Sequence, residues 1–474
     1  MCWGRHRGWR MNLRRTAIAF CICICVITIF QFKRFVHYDI KKAIRYQKQH
    51  AEFDLVEVQR ASRAFPNITS HVSQLGSIDA DRTVELAKTA SRMLAKRWWR
   101  GRTCNCERPI ADFIMGTPPA AMTHTYWTEA FMKRTVISIA HHDFRLVSSG
   151  PLSISLLTQM SSNRIEMLDL IARRWLGPIN LAVYVKSSQF GVTYTNISNY
   201  LMKSMRRNVI AHLVIAEGEL YPVNWLRNLV IRNTTSDYVF MIDGDFVPSI
   251  DLERQLKLKF QKLAQEKNDN TLVLVPAFEV LDDQVNFIPR DKKQLLELIS
   301  NGQADVFHRS HYPDGHSLWK FDKWRSTEKS YLLYHVKACS EKAEPYIALK
   351  RSQSPYLPEI LLERGRNKVA YYFELCNAGK RFEVLAHEFI IHKLHSSTLA
   401  QLNKVSICVF DAWEVFRAYI SKKYKKTHIY QQSFAQQFQT FKSIVSCLLG
   451  DFFFCMCILV PTSVLIYLCA YRVY

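Results

Sequence analysis

The sequence predicts an α/β protein with a mixed, mostly parallel sheet flanked by helices. Three observations predict it. From about residue 150 onward, short apolar runs rich in β-branched residues alternate with stretches of helical periodicity. Their order, strand then helix then strand, is that of crossover units, which lay strands parallel and put helices on both faces. One run, 238–242, ends abruptly in Asp243-Gly244-Asp245. Ligands of such sheets bind beyond the carboxyl ends of the strands, which is where these two carboxylates sit.

Residues 152–157 read as the first strand, ending in Thr158-Gln159. Residues 164–175 carry Ile165, Leu168, Leu170 and Ile171 at helical spacing, and Gly177-Pro178 stops that helix. Strands follow at 179–185 and 209–216, then a short helix at 224–231 before the strand 238–242. A helix at 252–263, a strand at 272–276 and a helix at 290–299 continue the series. Residues 313–324 read as a loop of turn formers, and 382–385 and 389–391 as two short strands. A polar, basic segment then runs to about residue 442. Residues 35–100 show no strong strand and read as a stem.

Arg5, Arg7, Arg10, Arg14 and Arg15 precede an apolar run at 16–30 that no small-residue cleavage site follows. That pattern predicts an uncleaved signal anchor, with a cytoplasmic N-terminus and a lumenal body. Residues 452–471 carry no charge and are long enough to span a bilayer again, a buried or interfacial tail being the alternative. The expected organisation is a cytoplasmic tail (1–15), a signal-anchor transmembrane helix (16–32), a stem (33–100), a lumenal catalytic domain (101–442, core 150–400) and a hydrophobic C-terminal segment (443–474).

The formal charge is +23, from 64 Lys and Arg against 41 Asp and Glu. It favours acidic partners such as anionic lipids, acidic glycans or a nucleotide diphosphate. No zinc finger, RNA-binding signature or aromatic-basic repeat accompanies it, so no nucleic-acid partner is expected. Cys104-x-Cys106 lacks a matching pair for a structural zinc site. Cys104, Cys106, Cys339, Cys376 and Cys408 fall in the expected lumenal part and allow one or two disulfides, with the pairing left open. Sequons at Asn67, Asn196 and Asn233 fit a lumenal body.

Asp243 and Asp245 repel one another, and burial raises that cost. A hard divalent cation is the usual remedy, and a solvated turn is the alternative. A third ligand is sought in His387-Glu-Phe-Ile-Ile-His392-Lys-Leu-His395. The spacing of five breaks the H-E-x-x-H pattern of a zinc helix, and Phe389-Ile-Ile391 reads as strand. His392 and His395 then face opposite sides. His392, at the strand end, is the candidate ligand; a buried, hydrogen-bonded histidine is the other reading.

An ordered series of blocks carries a family resemblance: Leu157-Thr-Gln159, Ile171-Ala-Arg-Arg-Trp-Leu-Gly-Pro-Ile-Asn-Leu-Ala-Val183, Tyr221-Pro-Val-Asn-Trp-Leu-Arg-Asn228 and Tyr238-Val-Phe-Met-Ile-Asp-Gly-Asp-Phe-Val-Pro-Ser249. Gly315-His316, Glu344-Pro-Tyr346, Asn367-Lys368, Glu374-Leu375 and Phe382-Glu-Val-Leu385 follow. Over about 152–396 the chain resembles glycosyltransferase family 49. That family includes the β-1,4-glucuronyltransferase of α-dystroglycan glycosylation and the glucuronyltransferase domain of the bifunctional xylosyl- and glucuronyltransferase acting on the same glycan.

The resemblance implies a GT-A-like (nucleotide-diphospho-sugar transferase) fold and a Mn²⁺-dependent inverting glycosyltransferase. It implies a UDP-sugar donor, UDP-glucuronic acid first, and a glycan or glycoprotein acceptor. It also implies a type II Golgi membrane enzyme, with a partner glycosyltransferase as a further expectation. Alternatives are UDP-xylose or UDP-N-acetylglucosamine as donor, or a catalytically degenerate member that binds glycan or a partner. The implied metal ligands are Asp243, Asp245 and His392. The implied donor-binding residues are Thr158, Gln159, Asn224, Arg227, Asn228 and Gly244, with a helix-surface salt bridge as the other reading of Arg227. At Tyr356-Leu-Pro-Glu-Ile-Leu-Leu-Glu-Arg-Gly365 the chain departs from the family pattern and loses an Asp. Glu359 and Glu363 remain as base candidates, or as members of a solvated helix face.

Overall fold

The expected strand–helix alternation folds into a mixed sheet, and its parallel heart carries the site. The computed structural model describes residues 68–86, 132–141, 152–394 and 402–424, with single positions and short stretches such as 283–286 left out. The expected anchor at 16–32 and hydrophobic segment at 443–474 lie outside these residues. Among the described residues no helix is long and apolar enough to cross a membrane. The described residues up to Tyr419 belong to one compact unit, and a second begins at Ile420.

The heart consists of β3 (Ile154–Ser161), α1 (Met167–Arg174), β4 (Ile179–Lys186), α2 (Phe190–Lys203), β5 (Val209–Ala216), α3 (Val223–Arg232) and β6 (Tyr238–Asp243). Strands β5, β4, β3 and β6 lie side by side and parallel. Ile154, Leu156, Leu157, Leu181, Val183, Leu213, Val239 and Phe240 are buried, as continuous apolar runs in a sheet covered on both faces require. Helix α1 buries Met167, Leu168, Ile171 and Ala172, which fall on one stripe.

The flanks are antiparallel. To one side stand β1 (Ile68–Leu75) and β2 (Arg134–His141), with β1 pairing β2 and β2 pairing β5. To the other stand β12 (Tyr346–Lys350), β8 (Thr271–Val275), β13 (Arg381–Leu385) and β11 (Leu333–Val336). Strand β12 runs antiparallel between β6 and β8. Five of the nine neighbouring pairs in this sheet are therefore antiparallel, so "mostly parallel" is corrected to mixed. Local periodicity reports a strand but not the direction of its partner.

The expected stem is corrected too, because β1 lies within 33–100 and belongs to the sheet. The residues after it are tied down. Trp225 Nε1 donates to the Gly76 carbonyl at 2.8 Å. Ser77 Oγ and the Ile78 N–H donate to Glu359 at 2.8 and 3.1 Å. Arg82 pairs with Glu374 at 2.6 Å, both nearly sealed from water; breaking such a pair costs on the order of 3–5 kcal/mol.

A second sheet has the order β10 (Ala304–Val306), β9 (Ala277–Val280), β14 (Ile390–His392), β7 (Phe246–Pro248). The remaining helices are α4 (Leu252–Gln265), α5 (Lys292–Ser300), α6 (Phe321–Ser326), α7 (Asn367–Asn377) and α8 (Leu402–Lys423). Helix α6 begins within the expected 313–324 loop, and α8 lies in the expected polar, basic segment. Helix α7 is buried almost throughout, from Asn367 to Cys376. Cys376 on it is disulfide-bonded to Cys339, which settles that pairing.

Candidate active site

Strands β3 and β6 end together, with Gln159 opposite Asp243. The chain then turns through Gly244, whose N–H donates to the Gln159 carbonyl at 3.1 Å. A Cβ at this position would lie 2.5 Å from that carbonyl oxygen and 2.7 Å from Met160 Cβ. Only glycine lets the two backbones approach so closely. Gly244 thus serves the turn that separates the two carboxylates.

Strand β7 follows at once and pairs antiparallel with β14, setting His392 opposite Phe246. The Lys393 N–H donates to the Asp245 carbonyl at 3.0 Å. This register delivers His392 Nε2 to 3.5 Å from Asp245 Oδ2, with both side chains about one-sixth exposed. The imidazole packs against Phe246 and Phe307. Arg164, just beyond β3, donates to the same Asp245 oxygen at 2.6 Å.

Asp243 is held differently. Arg227 Nη2 donates to Oδ1 at 2.6 Å, while Lys368 Nζ and the Tyr346 hydroxyl donate to Oδ2 at 3.0 and 2.8 Å. Burial alone would raise its pKa. The Lys368 and Arg227 cations outweigh that and hold the carboxyl well below the usual carboxylate range. The Tyr346 and Tyr221 phenols are pushed up, mainly by burial, and stay protonated. Tyr221 donates to Gln159 Oε1, which in turn donates through Nε2 to Asp243 Oδ1 at 3.4 Å.

Arg227, Gln159, Asp243 and Asp245 therefore share one end of the sheet with His392, and Lys368, Tyr346, Tyr221 and Arg164 join them. Other sequence-predicted residues do different work. Thr158 is wholly buried inside β3, opposite Ile242, and reaches no open surface. Asn224 donates to the Pro358 carbonyl at 2.9 Å. Asn228 bonds the Leu357 N–H and C=O and donates to Glu359 at 2.8 Å. Both asparagines hold the 356–363 loop, and Asn224 Oδ1 also accepts from Arg227 Nη1 at 3.2 Å.

Glu359 is 3% exposed and accepts from Asn228, Ser77 and Ile78. Burial pushes its pKa up, against those donors. A carboxylate with its lone pairs so engaged is a structural clasp, which corrects its assignment as a base. Glu363 accepts from the Tyr221 N–H, at a backbone position with φ of 57°. It too serves the loop.

A known family described as "Glycosyl-transferase for dystroglycan" matches residues 153–220 and 215–428. The chain belongs to this family. The xylosyl- and glucuronyltransferase LARGE2 of Mus musculus is 33% identical over 249 residues, 52% of this chain and 35% of that protein. LARGE1 of Mus musculus is 32% identical over 299 residues, 61% of this chain and 38% of that protein. The match thus spans little more than a third of these curated relatives. Among solved structures, GalNAc-T7 with UDP, GalNAc and Mn²⁺ superposes at a TM-score of 0.37 and 10% identity, over 57% of this chain and 49% of that one.

In this family member, several site residues fall in the blocks that carried the resemblance but were given no role there. Tyr221 opens the block that contains Arg227. Glu344-Pro-Tyr346 opens β12, and Asn367-Lys368 opens α7. Proline fixes the entry to a strand and a helix start projects its side chain forward, so these blocks marked ends of elements where site residues sit. Arg164 had no signal beyond its place after the first strand.

Proposed function

We propose that the protein is a metal-dependent glycosyltransferase that moves a sugar, glucuronic acid first, from a UDP-sugar to a glycan of a glycoprotein acceptor. The observation that carries this reading is the Asp245–His392 pair at the open end of β6, beside an Asp243 already neutralised by Arg227 and Lys368. One carboxylate and one imidazole form a mixed oxygen and nitrogen donor set. That set fits Mn²⁺, which needs only a few protein ligands when phosphates complete its shell.

When bound there, the cation supplies charge neutralisation for the leaving diphosphate. The protein's own groups do the rest. Arg227 and Lys368 keep Asp243 ionised and fixed, and Tyr221 fixes Gln159. Arg164 stands against Asp245 and can turn its guanidinium to a phosphate, which it suits by its planar fork. The fold is read as GT-A-like on family membership. The Cys339–Cys376 disulfide supports an oxidising compartment, in keeping with a Golgi lumenal domain held by an N-terminal anchor.

A second reading is favoured by Glu359 and Glu363, the acidic residues of the 356–365 loop, both spent on loop contacts. It makes the protein a donor- or glycan-binding member without turnover. One experiment separates the two. The full-length chain in mild detergent is given a panel of UDP-sugars, including UDP-glucuronate, UDP-xylose and UDP-N-acetylglucosamine, with Mn²⁺ or with chelator. Mn²⁺-dependent release of UDP supports the enzyme; binding without release supports the second reading in its donor-binding form; neither overturns the enzyme and the donor-binding form alike.

A further inference from the structure

Of the sequons, Asn67 lies outside the described residues, and the structure separates the other two. A sequon is read as a pair, the asparagine amide and the hydroxyl two residues on. Both groups must be reached together, from one side of the chain.

Asn196-Ile197-Ser198 lies inside α2. Residues i and i+2 of a helix do not share a face. Asn196 is accordingly exposed, while Ser198 is wholly buried and its hydroxyl has no partner among the described residues. The helix splits the pair. Helical turns form in about a microsecond, so α2 competes with modification even on the growing chain.

Asn233-Thr234-Thr235 lies in the connection from α3 to β6, outside any helix or strand. Helix α3 ends at Arg232, and Asn233 caps it. From there exposure alternates: Asn233, Thr235 and Asp237 are exposed, Thr234 and Ser236 buried. A period of two puts Asn233 and Thr235 on the same, outward side. The inward residues anchor the connection. Thr234 Oγ1 donates to Ser155 Oγ at 2.8 Å, and the Ser155 and Ser236 hydroxyls bond each other at 2.7 Å. Arg351 Nε donates to the Ser236 carbonyl at 2.9 Å. Asn233 Nδ2 donates to the Leu229 carbonyl at 2.9 Å, which uses one of its two hydrogens.

We propose that Asn233 is an N-glycosylation site, occupied in preference to Asn196. Nδ2 bonds the anomeric carbon of a lipid-linked oligosaccharide, the lipid diphosphate leaves, and Nδ2 gives up one hydrogen as a proton. The hydrogen that remains keeps the Leu229 bond. The glycan stands at the entry of β6, whereas Asp243 ends that strand, roughly 17 Å further on. It is therefore clear of the site. The inference rests on the lumenal reading above, because such oligosaccharides are transferred inside the secretory pathway.

The test makes the full-length chain in cultured animal cells and divides the microsomes. One portion is treated intact with trypsin, and protection of the peptides of 152–394 marks the body as lumenal. The other is digested and deglycosylated by peptide N-glycosidase in heavy-oxygen water, which turns an occupied asparagine into a heavy aspartate, read against an enzyme-free control. The body is protected, Asn233 is mostly converted, and Asn196 is converted less. Thr235→Ala, which leaves the cap of α3 in place, abolishes conversion at Asn233, and Thr235→Ser retains it. A protected body with Asn233 unconverted, or with Asn196 converted as fully, overturns the inference. So does conversion that survives Thr235→Ala. A body cut by trypsin in intact microsomes overturns the lumenal reading, and the inference with it.

Discussion

Asp245 Oδ2 lies 3.5 Å from His392 Nε2 because β7 and β14 pair in the register that sets His392 opposite Phe246. A one-residue slip would turn His392 to the other face of β14 and part the two groups. Asp245→Ala and His392→Ala are each expected to lose Mn²⁺ binding, read by electron paramagnetic resonance of the free ion. UDP release should fall by about a hundredfold or more, the scale of a lost charge-stabilising group. Unchanged Mn²⁺ affinity in both variants would remove the pair from the metal site.

Glu359 gives a prediction of the opposite kind. Truncation to Ala strands the donors of Asn228, Ser77 and Ile78 in a sealed place, at about 1–3 kcal/mol. Glu359→Ala should melt several degrees lower while its turnover per folded molecule stays within a few-fold of wild type. A fall of about a thousandfold in turnover at unchanged melting temperature would restore it as the base.

His212 sets a pH dependence of stability. It bridges Ser138 at 2.7 Å and Asn180 at 2.9 Å, and burial lowers its pKa from 6.5 to about 4. Below pH 6.5 the unfolded chain takes up a proton that the folded chain refuses. Stability therefore falls as pH drops from 6.5 toward 4, by about 3 kcal/mol in all, and this contribution is flat above 6.5. Denaturant titrations of wild type and His212→Gln across that window should differ in slope. Parallel curves would show that the imidazole does not stay neutral in the fold.

The Cys339–Cys376 bridge closes a loop of 37 residues. A loop of that size constrains the unfolded chain by roughly 4 kcal/mol in the chain-entropy picture. Cys376→Ser should lower stability by a sizeable part of that, and peptide mapping without reductant should recover the two cysteines joined. Recovery of either cysteine free, or paired elsewhere, would refute the bridge.

Much of the heart was legible. The runs at 179–185, 209–216 and 238–242 match β4, β5 and β6 within a residue or so, since buried parallel strands are apolar on both faces. Strand β1 (ITSHVSQL) is polar and short of apolar signal, while β2 (RTVISIAH) is apolar but lies before residue 150, where the strand–helix alternation begins. The place of β1 depends on β2 and on the contacts of Gly76, Ser77 and Arg82. The loop contacts of Asn224 and Asn228 were illegible for a related reason. A polar residue beside an active-site block looks like a ligand until its partner, here the 356–363 loop, is seen.

The sequence by itself determined the strand–helix order, the strand end at Asp243-Gly244-Asp245 and the family. Those signals are local: periodicity, a glycine where two backbones touch, and motif order. Only the tertiary structure decided that Asp245, not Asp243, meets His392, that Arg227 and Lys368 fill Asp243, and that Glu359 clasps the segment after β1. Each joins residues far apart in the chain. Their meeting depends on strand register and burial, and neither is written in the residues' own neighbourhoods.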